Sequence, residues 1–88
     1  MVDVKEIVFS GHAETKFEIL KQHGFEVSRD VVLSAVRKPD KIDRGHKGRQ
    51  VAQMNLTETH VIRVVYEERQ AGIRVITFYP GRRDRYED

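Results

Sequence analysis

Two runs near the end of the chain, 60–68 (HVIRVVYEE) and 73–79 (IRVITFY), are rich in β-branched and aromatic residues, and only Arg69-Gln70-Ala71-Gly72 separates them. Side chains branched at Cβ favour extended backbone, and so short a connection turns the second run back along the first. The pair predicts an antiparallel hairpin, so the rest of the chain must cover at least one of its faces. With Gly72 in the left-handed position of a three-residue turn, Ile62, Val64 and Tyr66 share a face with Ile76 and Phe78. A turn at Thr57–Thr59 adds a third strand over 49–56, in which Ala52, Met54 and Leu56 alternate onto the same face. The opposite face then carries Val51, Gln53, Val61, Arg63, Val65, Val75, Thr77 and Tyr79, a mixture that reads as a surface meeting a partner. A slip of one residue would exchange the two faces.

The first half of the chain changes period. Ser10 is placed as an N-cap, and Ala13, Phe17 and Leu20 follow at the spacing of one helical face until Gly24 closes the helix. Ser28 caps a second helix with Asp30 in its first turn and Val32, Ala35 and Val36 as its apolar stripe, and Pro39 stops it. Residues 4–9 read as a short strand or lead-in, 41–44 as a short strand, and Gly45-His46-Lys47-Gly48 as a turn. At 88 residues, 39% hydrophobic and 34% charged, the chain has apolar material for one small core, and no linker or repeat divides it. The expected architecture is a single α+β domain over 1–88, with two N-terminal helices on one face of a three- to four-stranded antiparallel meander.

With no cysteine there is neither a disulfide framework nor a thiolate metal site, and a reducing cytoplasm fits best. The first residues lack a secretory pattern, and no stretch approaches the ~20 apolar residues of a membrane span. Net charge is only +2, yet residues 37–49 hold six Lys/Arg against two Asp. Such a segment attracts phosphates in a salt-dependent way, or simply keeps a loop soluble.

Three constellations could carry chemistry. The C-terminal Arg82, Arg83, Arg85 and Tyr86 offer planar forks for phosphate and a phenol for proton transfer, although Asp84, Glu87 and Asp88 balance their charge. The stretch Arg44-Gly45-His46-Lys47-Gly48-Arg49 surrounds glycines with basic groups but lacks the spacing of a nucleotide-binding loop. His12 and Lys16 stand one helical turn apart beside the Ala13 and Phe17 stripe, and imidazole suits proton transfer near neutral pH. The four histidines have no metal-ligand spacing, no cofactor motif is present, and no serine sits in a nucleophile elbow. Catalysis, where there is any, rests on Arg, Lys, His and Tyr without a metal.

The order of elements resembles the RelE/ParE superfamily of small toxins, close to a branch of domains of unknown function near the BrnT and HigB toxins. The residues carrying the resemblance are Gly11-His12-Ala13, Arg37-Lys38-Pro39-Asp40, Gly48-Arg49, Val64-Val65-Tyr66 and Val75-Ile76-Thr77-Phe78-Tyr79-Pro80, which together span nearly the whole chain. The resemblance implies a toxin-like domain of a type II toxin–antitoxin kind and a metal-independent ribonuclease that acts on mRNA, often on the ribosome, by promoting attack of a 2′-hydroxyl on the adjacent phosphate. Carried onto this chain, Arg49 and Arg82 or Arg83 clamp the phosphate and Tyr86 or His46 transfers protons, with His12 and Lys16 behind them. Arg44, Lys47 and Arg85 complete the RNA-binding set. That reading requires Arg82, Arg83, Tyr86 and Arg49 to converge on one phosphate, within about 10 Å. The alternative is a non-catalytic module that binds an antitoxin or a second copy of itself through exposed Val61, Val65 and Val75.

Overall fold

The computed structural model describes residues 6–86. Val4 and Lys5 of the expected lead-in, and Glu87 and Asp88 of the charge-balanced tail, lie outside them. In chain order the elements are β1 (Glu6–Phe9), α1 (Gly11–Gln22), α2 (Arg29–Arg37), β2 (Lys41–Arg44), a 3-10 turn (His46–Gly48), β3 (Gln50–Asn55), β4 (His60–Arg69), β5 (Gly72–Arg82) and the single turn α3 (Arg83–Tyr86). Among the described residues no helix is long and apolar enough to cross a membrane.

The helix ends follow the local chemistry of the sequence. The Ser10 hydroxyl accepts from the Ala13 N–H at 3.0 Å and donates to the Ile76 carbonyl at 2.7 Å, so one side chain caps α1 and ties it to β5. Gly24, at φ 87°, closes α1: its N–H bonds Lys21 O, and the Phe25 N–H reaches back to Leu20 O. Ser28 caps α2 through the Val31 N–H at 3.2 Å.

The sheet corrects the expected all-antiparallel meander. It has five strands in the order β1-β5-β4-β3-β2, and β1 runs parallel to β5 with Glu6 opposite Gly72 and Phe9 opposite Val75. A hairpin leaves the outer edge of β5 unpaired, and the long path through both helices and the meander gives β1 enough chain to arrive there in the parallel sense. Gly72 makes that approach possible, because a Cβ at this position would stand 2.2 Å from the Glu6 carbonyl oxygen. It is not the left-handed turn residue expected: β4 and β5 pair Arg69 with Gly72, leaving only Gln70 and Ala71 in the loop.

A second correction concerns register. Val65 opposes Thr77, but the next pair is Tyr66 with Val75, so Ile76 is an extra residue in β5. The bulge puts Val75, not Ile76, on the helix side, where it is fully buried with Ala52, Ile62, Val64, Tyr66 and Phe78. Leu56 falls beyond the end of β3. Against this face α1 and α2 place Ala13, Leu20, Val32, Ala35 and Val36, while Phe17 packs its ring 4.6 Å from that of Phe78. Two helices therefore cover one side, and the other side faces away from them.

Candidate functional site

The side of the sheet away from the helices carries Val51, Gln53 and Asn55 from β3, Val61, Arg63 and Val65 from β4, and Thr77, Tyr79 and Gly81 from β5. In the middle of β4, Arg63 is 8% exposed and Val61 fully buried, although no helix of the main layer lies over them. What covers them is the C-terminal segment. At the end of β5 the Arg83 N–H bonds Thr59 O at 2.8 Å, and α3 then swings Tyr86 back over the sheet. Its ring rests on Gly81, where a Cβ would stand 2.4 Å from Cε2, and on Arg63, whose guanidinium carbon lies 4.3 Å from the ring centroid. Lys41 of β2 donates from Nζ to the Tyr86 carbonyl at 3.0 Å.

Beneath the ring, Arg63 donates through Nε to the Tyr79 hydroxyl at 3.2 Å and through Nη1 to Asp43 at 3.1 Å and to Gln53. Burial works against the guanidinium charge, but the bonds to Tyr79 and Asp43 outweigh it and raise the Arg63 pKa above its ordinary value. Three strands and the tail thus bring one guanidinium, two phenols, one ammonium and one carboxylate to a single place. A fixed positive charge beside hydroxyls is chemically suited to an anion that gains charge while protons move around it.

The structure divides the residues singled out from the sequence into four groups. Tyr86 sits at the centre just described. Arg44, His46, Lys47 and Arg49 gather at the turn between β2 and β3, with Arg49 paired to Glu67 at 3.9 Å. Arg82 pairs with Asp84 at 3.5 Å, Arg83 bonds Glu58 O at 3.4 Å, and Arg85 is exposed. Arg82 stands opposite His60, whereas Arg49 immediately precedes Gln50, which stands opposite Tyr66. Six residues of strand separate those positions, roughly 20 Å, so the expected convergence of Arg49 with Arg82 and Arg83 on one phosphate does not occur. His12 is exposed and Lys16 half-buried on α1, in the helix layer across the sheet from Tyr86.

The centre itself was only partly visible in the sequence. Arg63 and Gln53 stood out as polar residues in otherwise apolar strands, but nothing local joined them to Tyr86, Lys41, Asp43 and Tyr79. Of the valines expected to meet a partner, Val61 is fully buried and Val75 faces the helices, while Val65 is half-buried on the side away from them. No group of three His, Asp or Glu side chains suited to a metal occurs among the described residues. Comparison of the chain with protein-family models, with curated proteins and with solved structures finds no match.

Proposed function

We propose that this is a cytoplasmic toxin-like domain of the toxin–antitoxin kind, a metal-independent endoribonuclease whose centre is Tyr86 over Arg63. The supporting observation is the seating of the Tyr86 ring on Gly81 and on Arg63, the guanidinium that also donates to the Tyr79 hydroxyl, with Lys41 bonded to the Tyr86 backbone carbonyl. Strand scission by a 2′-hydroxyl forms the 2′-oxygen–phosphorus bond and breaks the bond from phosphorus to the 5′-oxygen, leaving a 2′,3′-cyclic phosphate and a 5′-hydroxyl. The reaction needs one group to take the 2′ proton, one to protonate the departing oxygen, and positive charge for the crowded phosphate. Tyr86 and Tyr79 are the two proton carriers, and Arg63 with Lys41 supplies the charge. Arg82, paired with Asp84, and Arg83, bonded to the Glu58 carbonyl, are assigned no part in the chemical step. The partner that restrains such a domain is an antitoxin protein.

The test is incubation with mRNA, with and without translating ribosomes, in the presence of a chelator. Tyr86→Phe keeps the ring on Gly81 and removes only the hydroxyl, so cleavage is expected to fall by about 10²- to 10⁴-fold with unchanged thermal stability. An Arg82→Ala, Arg83→Ala pair is expected to retain most cleavage. Wild-type protein that leaves RNA intact with and without ribosomes would overturn the proposal.

A further inference from the structure

At the other end of the same face one carboxylate is shared by three arginines. Glu67 of β4 accepts Arg69 Nη2 at 2.6 Å and Nε at 3.0 Å, while Arg49 Nε and Arg74 Nη1 each stand 3.9 Å away. The Arg69 hydrogen bond, with the charges of Arg69, Arg49 and Arg74, holds the Glu67 carboxyl below its ordinary pKa although burial opposes this. Arg69 is thus engaged with its own strand neighbour on β4. Arg49 and Arg74 are in a different position, because 3.9 Å is beyond hydrogen-bond reach and neither guanidinium has a hydrogen bond among the described residues.

Those two guanidiniums are more than a third exposed, 39% and 38%, and positive charge continues past them. Arg49 also lines an open cleft of about 340 Å³ at the β2–β3 turn with Arg44, Gly45, Gly48 and Gln50. Lys47 and Gly48, at φ 59° and 76°, fold the turn back tightly enough to keep Arg44 and Arg49 on one rim. The Glu67 carboxylate therefore stands among Arg49, Arg69 and Arg74, and only Arg69 bonds it closely. A phosphate dianion or a phosphodiester fits the two unfilled forks, since each guanidinium presents parallel N–H donors. The location matters as well: Arg49 is four strand residues from Gln53, the partner of Arg63, or about 13 Å along the sheet on the same face.

We propose that Arg49 and Arg74 on either side of Glu67 form a second phosphate subsite, which holds the backbone of single-stranded RNA while another phosphate of the same strand lies at the Arg63–Tyr86 centre. This rests on the ribonuclease reading for the identity of the ligand. Glu67 sets the spacing of the two arginines and also repels the phosphate, so removing its charge has the opposite effect from removing theirs.

The experiment uses fluorescence anisotropy with labelled oligodeoxyuridylates of two and eight nucleotides, which lack the attacking 2′-hydroxyl and survive as intact probes. An Arg49→Gln, Arg74→Gln variant is expected to bind the eight-mer about tenfold more weakly and the dinucleotide unchanged. Its plot of log affinity against log salt should be shallower by about 0.7, the loss of one phosphate contact on a single strand. Glu67→Gln should bind the eight-mer several-fold more tightly, whereas a purely structural role for Glu67 predicts weaker binding. Eight-mer affinity and salt slope unchanged in the double variant overturn the subsite, and so does an absence of binding by wild-type protein. Arginine-dependent binding of the eight-mer by a wild-type protein that cleaves no RNA supports the subsite and removes the catalytic centre alone.

Discussion

The same strands present two faces, and each is buried by a different means. On the helix side, Phe78, Ile62, Val64 and Val75 are fully buried under α1 and α2, and their contacts need only shape and volume. On the other side the cover is one ring at the end of α3, and what it covers is a guanidinium whose bonds to Gln53, Asp43 and Tyr79 must all be in place. A hydrophobic layer tolerates small displacements, whereas a buried charge with a fixed set of partners does not. The difference separates tasks: the helix side supplies stability, and the tail side fixes the positions of groups that can act on an anion.

Substitutions on each side test that separation. Phe78→Ala removes the largest fully buried side chain and the ring against Phe17, so chemical denaturation should show a loss of about 3–5 kcal/mol. On the tail side, Gly81→Ala puts a methyl where the Tyr86 ring lies. The ring must lift, with an expected cost of about 1–3 kcal/mol. Cleavage should fall with it while the helix-side core stays intact, visible as unchanged amide exchange in α1 and α2; exchange losses there equal to those in α3 would mean that the two covers are not separable. The smallest effect has the opposite sign. Thr77 Oγ1 is buried on the tail side with no hydrogen-bond partner among the described residues, so Thr77→Val should raise stability by up to about 1 kcal/mol. A loss on thermal melting would show that the hydroxyl is satisfied in solution.

The parts of the fold legible in the sequence are those decided within a few residues. Ser10, Gly24 and Ser28 mark helix ends because their partners lie three or four positions away. Gln53 and Arg63 announced a polar patch because strand alternation places them on one face. The parallel strand was not legible, since Glu6–Phe9 is four residues long and its partner is β5, at the far end of the chain. Alternation also misassigned Val75 and Ile76, because the extra residue between the Val65 and Tyr66 pairs has no local signature. For the site, Tyr86 was singled out but its partner was not. Its direction depends on a glycine two positions beyond Tyr79 that leaves room for a ring, which is a property of the assembled sheet.

The bond from the Ser10 hydroxyl to the Ile76 carbonyl joins residues 66 positions apart. Closing a loop of that length costs about 4 kcal/mol of chain entropy before any contact forms, far more than the two-residue connection between β4 and β5 demands. In folding, β1 therefore has reason to dock after the meander has assembled, onto an edge that Gly72 has left clear. Ser10 also starts α1, so the step that seats the edge strand orients the first helix as well. The last strand to arrive and the cover of the core are set by the same hydroxyl.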